Sequence, residues 1–323
     1  MRVLIAGATG VLGRRLVADC VERGHEVIGL ARDRDGAWSV RRAGGTARYG
    51  DVLDRESLSA AAPGADVVIN AATAIPTSAR PRRAEWRLND RVRREGTRNL
   101  TEVAVEAGVS QFIQQSIVWV ARQPDGSDFD EDSTPHPDRT TASALDAEHI
   151  VTAAGTTHGF DTTLLRCGWF YSADSAQTQA IARGLLARRM LIIGRGDARM
   201  SHIHVADAST AFVTAMETGV AGRYHIVDDA PVSMAHYLGT FALALGAPEP
   251  RHIPPLLGRL VAGGDVVRFL TQPMPTSATR FHDATGWTPR YPTITEGLPA
   301  VCEEWRGAGV VVETDTGTAW AAA

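Results

Sequence analysis

The chain of 323 residues contains no lysine; all 33 of its basic residues are arginine. Any chemistry that rests on a lysine ammonium is thereby excluded. Cysteine is scarce, and Cys20, Cys167 and Cys302 lie far apart with no C-x-x-C pair. That argues against a disulfide framework or a zinc knuckle and fits a reducing cytoplasm, the expected compartment. No apolar run approaches the roughly 18 residues of a membrane-spanning helix. The run Arg2 to Ala6 is too short, and too soon followed by glycine, for a signal-peptide core. A net charge of -4 and a pI of about 6.2 give no basic field for nucleic acid or anionic lipid, so a small molecule is the expected partner. The sequence leaves the oligomeric state open.

Short apolar runs alternate with helical patterns in the first half of the chain. Val3 to Ala6, His25 to Leu30, Ala65 to Ile69, Gln111 to Val120 and Asp161 to Arg166 read as strands. Leu12 to Val21, Val92 to Ala107 and Ala142 to Ala154 read as helices. Strands separated by helices require right-handed crossovers, so the expected fold class is α/β: a Rossmann doubly wound parallel sheet. Beyond Arg166 the rhythm loosens into a helix at Ala176 to Arg189 and strands at Leu191 to Ile193 and near Tyr224 to Val227. Prolines 248, 250, 254 and 255 break the pattern further. The expected organisation is a dinucleotide-binding domain over residues 1–170 with return segments at about 200–230. A smaller, interleaved substrate lobe spans 171–306, and a flexible tail spans 307–323.

Gly7-Ala8-Thr9-Gly10-Val11-Leu12-Gly13 falls between the first strand and the first helix, the context in which a glycine pattern becomes a phosphate site. Gly7 permits the turn, Gly10 lets backbone approach a diphosphate, and Gly13 allows close packing of the helix. The free N–H groups and positive end of that helix then face the ligand. At the end of the second strand the sequence runs Leu30-Ala31-Arg32-Asp33-Arg34. An acid at this point bonds a ribose 2'-hydroxyl and an arginine meets a 2'-phosphate. Arg32, helped by Arg34, favours NADPH; Asp33 facing the ribose is the competing arrangement.

Further segments line up, in order, with motifs of the extended short-chain dehydrogenase/reductases. These are Gly50-Asp51-Val52, Asn70-Ala71-Ala72-Thr73, Gly96-Thr97-Arg98-Asn99, Arg166-Cys167-Gly168-Trp169-Phe170-Tyr171, His204-Val205-Ala206-Asp207 and Gly286-Trp287-Thr288-Pro289. Over about residues 1–306 the chain resembles the epimerase/dehydratase-like branch of that family. The resemblance implies that Asp51 and Val52 border adenine and that Ala71, Ala72 and Thr73 flank the nicotinamide ribose. It places Cys167, Gly168 and Trp169 at the nicotinamide, and Thr73, Ile117, Trp119, Tyr171 and His204 around the substrate.

The family's Ser-Tyr-Lys triad does not survive this alignment. Ile117 stands at the serine position, and counting back from Glu148 puts Thr140 at the tyrosine and Ala144 at the lysine. Ser116, one residue early, is a weak substitute. A reaction with no protein acid needs a substrate whose own phenol or delocalised system takes up the developing charge, with binding geometry supplying the acceleration. In this the chain is similar to the atypical ketoreductases of angucyclinone antibiotic pathways, the simocyclinone pathway among them. That resemblance implies NADPH-dependent reduction of a ketone on a polycyclic aromatic polyketide. The competing reading is a sensor that binds NADP(H) without turning it over.

Three other features have ordinary explanations. Thr140 and Ser143 suit the first turn of a helix, and Asp207 suits an N-cap. His202 and His204 share one face of a strand, but no carboxylate or cysteine set completes a metal site, so no metal is expected. The eight arginines from Arg80 to Arg98, mixed with Glu85, Asp90 and Glu95, read as a solvated helix face, with a patch receiving an anionic substrate group as the alternative.

Overall fold

The computed structural model describes residues 1–76, 82–314 and 317–321, so Arg80 lies outside the described residues. Its centre is a seven-stranded sheet, parallel throughout. It is built from β1 (Arg2–Ala6), β2 (Glu26–Ala31), β3 (Thr46–Tyr49), β4 (Val67–Asn70), β5 (Gln111–Ile117), β6 (Asp161–Cys167) and, much later in the chain, β11 (Gly222–Ile226). The spatial order β11-β6-β5-β4-β1-β2-β3 reverses direction between β1 and β4. This is the switch point at which ligands bind in doubly wound sheets. Every interior strand is covered on both faces, and the apolar runs that marked β1, β4 and β5 in the sequence are buried accordingly.

Helices α1 (Val11–Glu22), α2 (Arg34–Arg42), α3 (Arg55–Ala61), α4 (Arg83–Arg91), α5 (Thr97–Ala107) and α6 (Ala142–His158) make the crossovers of β1 to β6. Between α4 and α5 the chain makes one π-helical turn, Val92–Gly96, so the helix expected from Val92 begins a full α4 earlier. Strand β5 ends at Ile117 rather than Val120, because Val118–Ala121 tightens into a 3-10 turn.

Beyond β6 come β7 (Trp169–Tyr171), α7 (Ala176–Leu186), β8 (Leu191–Ile193), β9 (Arg199–Met200), β10 (His202–His204) and α8 (Val205–Thr218). After β11 follow β12 (Val232–Ser233), α9 (Met234–Leu245), β13 (Arg251–Ile253), α10 (Pro255–Ala262), α11 (Gly264–Thr271), α12 (Thr279–Thr285) and α13 (Ile294–Gly307). The small strands pair two by two: β7 with β10, β8 with β13, β9 with β12. The segment expected to be a flexible tail instead forms an antiparallel hairpin, β14 (Val311–Thr314) and β15 (Gly317–Trp320). Trp320 sets its ring on Trp305 of α13 at 5.1 Å, and the Arg183 guanidinium lies 4.5 Å over that ring. The composition of the tail concealed this single aromatic anchor.

One buried ion pair locks α6 against the sheet. Glu148 receives both arms of Arg166, at 2.8 and 2.7 Å, and the Ser116 hydroxyl at 2.5 Å, with Glu148 and Arg166 fully buried. Removing one member strands the other charge, which costs about 3–5 kcal/mol, whereas replacing both with apolar side chains is much cheaper. Glu148→Met and Arg166→Met are each expected to lower the melting temperature sharply, and the double substitution to recover most of the loss, as measured by thermal unfolding.

Candidate active site

The turn after β1 is shaped by backbone. Gly7 has φ +78°, and a Cβ there would lie 2.6 Å from the carbonyl carbon of Ala71; one on Gly13 would lie 2.0 Å from the Gly7 oxygen. Both glycines are therefore demanded by packing inside the protein. Gly10 differs: it is exposed, a Cβ would meet only the Gly7 oxygen at 3.3 Å, and as the N-cap of α1 it brings no side chain to the helix end. The first N–H groups of α1, at Val11, Leu12 and Gly13, are consequently free of side-chain caps. Leu12 contributes only its backbone here, since its side chain is core. Arg14 steadies the loop by donating to the Thr9 carbonyl at 3.0 Å and to Asp174.

At the end of β2, Asp33 is already committed: its carboxylate accepts the Gly36 N–H at 2.8 Å and caps α2. Arg32 and Arg34 are exposed and have no ion-pair partner among the described residues. The cap occupies one carboxylate oxygen of Asp33, and the two arginines stand on either side of it at the strand end. Past β3, Asp51 accepts the Leu53 N–H at 2.9 Å, while the Val52 carbonyl is held by the Asn99 amide at 2.9 Å. A Cβ on Gly96 would lie 2.8 Å from Val52. The Gly96-Thr97-x-Asn99 motif is explained by these contacts: glycine lets α5 approach the Asp51 loop and asparagine fastens it.

The loop after β4 is fastened the same way. The Asn70 amide donates to Thr97 at 3.1 Å and to Gln114 at 2.9 Å, while its oxygen accepts the Ala72 N–H. Asn89 of α4 accepts the Ala74 N–H at 3.0 Å. Ala71 is buried, Ala72 partly buried and Thr73 exposed at the open edge. Ile117 closes β5 beside Cys167 of β6, its register partner. Cys167 is fully buried, and burial pushes its thiol up. A Cβ on Gly168 would lie 2.8 Å from the Ser201 carbonyl, so that glycine too is set by packing.

The expected triad positions are occupied without a proton donor of the usual kind. Thr140 donates its hydroxyl to Asp138 at 2.7 Å, and Thr141 does so at 3.2 Å. Burial works against ionised Asp138, but these bonds and Arg122 hold its carboxyl below the usual range. Ala144 is core. Ser116 spends its hydroxyl on Glu148, in a buried position at the end of the strand. Glu148, from which the positions were counted, is fixed to β6 by Arg166.

Two expected substrate residues are structural. His204 is the N-cap of α8, its Nδ1 accepting the Ala206 N–H at 3.2 Å; its ring packs on Tyr171 and Tyr291, and burial lowers its pKa to about 4. Tyr171 is fully buried, and a Cβ on Gly297 of α13 would lie 2.0 Å from its hydroxyl. Asp207 is not the cap of α8. Its carboxylate accepts the N–H groups of Arg290 at 2.8 Å and Tyr291 at 3.0 Å, tying the His-Val-x-Asp motif to the strand of chain after Gly-Trp-x-Pro. Sequence spacing could not separate these roles, because capping and anchoring both call for a short polar side chain.

Trp119 and Trp169 do come together, through a residue the sequence gave no reason to choose. Phe269 of α11 stacks on Trp119 at 5.5 Å and meets Trp169 edge-on at 5.3 Å. Trp169 continues into His202 and Tyr237, whose rings stack at 4.6 Å. His202 is wholly buried, its ring nitrogens have no hydrogen-bond partner, and burial lowers its pKa to about 3, so it stays neutral. Among the described residues no group of three histidine, cysteine or acidic side chains could hold a metal, and no helix is long and apolar enough to cross a membrane.

The glycine cradle, the uncapped helix end and the free arginines at β2 fit a dinucleotide. A description of the NAD dependent epimerase/dehydratase family matches residues 3–227. A 3-diazoavenalumate denitrifying reductase of a Streptomyces species is 33% identical over 92% of this chain and 99% of its own length. A 4-hydroxy-2-methyl-3-oxo-4-farnesyl-3,4-dihydroquinoline-1-oxide ketoreductase of Stigmatella aurantiaca is 29% identical over 74% of this chain and 71% of its own. Among solved structures, the human epimerase family protein SDR39U1 with NADPH superposes with a TM-score of 0.79 and 21% identity, covering 94% of this chain and 99% of that one.

Asp228, just past β11, is buried, and burial raises its carboxyl to about 8 from the ordinary 3.8. Between those values the folded chain keeps a proton that the unfolded chain releases. Stability from this group is full below pH 3.8 and is lost as pH rises through about 8. Asp228→Asn should therefore flatten the decline in melting temperature between acidic and mildly alkaline buffer, read by thermal melts across that interval.

Proposed function

This chain belongs to the NAD-dependent epimerase/dehydratase family and is an oxidoreductase of the short-chain dehydrogenase/reductase type, and from that premise we propose that it uses NADPH to reduce a ketone on a polycyclic aromatic natural product without a protein general acid. The proposal is supported by the glycine turn and uncapped start of α1 together with the family resemblance, which puts Ile117, Thr140 and Ala144 at the triad positions. Bound reduced nicotinamide supplies the hydride. Gly10 and the first turn of α1 hold the diphosphate, Asp51 and Val52 border the adenine, and Ala71 to Thr73 flank the nicotinamide ribose. Cys167 to Trp169, with Ile117, form the wall behind the nicotinamide.

The family's description names NAD, whereas the human neighbour carries NADPH, so the choice is made locally. Asp33 caps α2 through one oxygen, and the exposed Arg32 and Arg34 beside it are the groups that would meet a 2'-phosphate. An arginine–phosphate contact is worth about 1.5–3 kcal/mol, or roughly 10- to 100-fold in affinity. Arg32→Ala should raise KM for NADPH by about that factor and leave KM for NADH unchanged; equal KM changes for the two would overturn the assignment.

Protein side chains then need only orient the acceptor and exclude water. Trp119, Trp169 and Phe269 pack together, and the half-buried Phe269 is the ring against which a planar substrate would lie. A phenol beside the ketone supplies the proton that a tyrosine would otherwise give.

The whole-length similarity to a denitrifying reductase favours one second acceptor, an aryl diazo group. Hydride added to the terminal nitrogen of an aryl diazonium gives an aryl diazene, which loses dinitrogen while its hydrogen stays on the ring. No proton from the protein enters that balance either. The test is to follow NADPH oxidation with ortho-hydroxyaryl ketones, their O-methyl ethers and aryl diazo compounds. Oxidation with the free phenols and not the ethers is expected; turnover of diazo compounds alone selects the second acceptor, and no oxidation with any of them rejects both.

A further inference from the structure

The arginine-rich stretch is mostly the solvated, ion-paired face that its composition implies: Arg91 pairs with Glu95, and Arg94 with Asp146 of α6. Arg93 is the exception. It sits in the π-helical turn, is 6% exposed, and makes no hydrogen bond or ion pair among the described residues. Burial lowers its pKa to about 10, with Asp90 opposing from a distance, so it remains a cation at neutral pH. A buried guanidinium without a partner is among the more destabilising arrangements a fold can carry, and such sites persist where function uses them.

Its placement says what for. Asn89 and Thr97, one helical turn to either side on the same face, bond the Ala74 N–H and the Asn70 amide respectively. Arg93 therefore faces the end of β4 and the loop that follows, at the rim where the acceptor is expected. One turn back, the Asn89 amide is buried without a partner, and α6, which packs on the π-helical turn, carries a second such donor in the Ser143 hydroxyl. A π-turn in a helix is itself a common mark of a functional site.

We propose that Arg93 is the cation that meets the acidic oxygen of the acceptor, a phenol or enol that becomes anionic as it gives up its proton, so that the positive charge which the family places on α6 is supplied here from the α4–α5 turn. The inference rests on the proposed reduction, and names the substrate class as one carrying an acidic oxygen beside its reducible centre. Arg93 is a cation at any working pH, so the pairing needs no proton transfer from the protein.

The test measures binding rather than turnover, so it stands or falls separately from hydride transfer. With the protein saturated by NADP+, calorimetric titration compares 2-hydroxy-1,4-naphthoquinone, whose enol is ionised at neutral pH, with 2-methoxy-1,4-naphthoquinone, which has no ionisable oxygen. The parent chain should prefer the ionised quinone. Arg93→Met should weaken that quinone by about 10- to 100-fold, the range of a charge-assisted bond, and leave the methoxy compound and NADP+ unchanged. Arg93→Lys should recover part of the loss. Melting temperature provides the control for a structural role: with the stranded charge removed, Arg93→Met should melt at or above the parent. No preference for the ionised quinone in the parent, equal losses on both quinones, or a lower melting temperature for Arg93→Met would each overturn the proposal.

Discussion

The pair between Glu148 and Arg166 is the constraint on which the rest of the site depends. It joins the middle of α6 to β6 at two points and reaches β5 through Ser116. Because both charges are buried, only one register of α6 satisfies them: sliding the helix by a residue would leave an arginine and a glutamate unpaired in the core. That register also fixes where Ala144, upstream of Glu148 on α6, packs into the core.

The same economy governs the rest of the cofactor side. Asn70, Asn89 and Asn99 fasten the three loops that face the switch point, and Asp33 and His204 cap the helices that follow β2 and β10. Short polar side chains thus hold backbone in place and leave little free to do acid–base work. What remains available is a row of uncapped N–H groups, two exposed arginines, an aromatic wall, and one buried arginine. This inventory suits a reaction in which the substrate supplies its own proton and the protein contributes position and charge.

The aromatic cluster shows why the C-terminal half was harder to read. Phe269, Tyr237 and Trp320 come from α11, α9 and the terminal hairpin, far apart in sequence and in segments without strong periodicity. Phe269 and Tyr237 both meet Trp169 because β7 and β10 pair beside the main sheet and carry Trp169 and His202 with them, whereas Trp320 packs apart from them on Trp305. Likewise Tyr171 and His204, reasonable substrate residues by motif, turn into the core because β7 and β10 present them to α13 and to Tyr291. Alternation along a strand tells which residues share a face; it does not tell which face meets the ligand.

By itself the sequence determined the parallel α/β sheet, the glycine turn, the order of the family motifs and the absence of any lysine. These are carried by local signals: apolar runs, glycine spacing and residue identity. The tertiary structure alone decided which polar side chains are already spent. Asp33, Ser116, Asp207 and His204 could each have served a ligand, and each instead satisfies backbone or a buried partner. Arg93, one arginine among many in a polar stretch, is set apart only by its burial. The reason is physical: a hydrogen bond or a desolvation penalty depends on what packs nearby, and that is settled by contacts between residues distant in the chain.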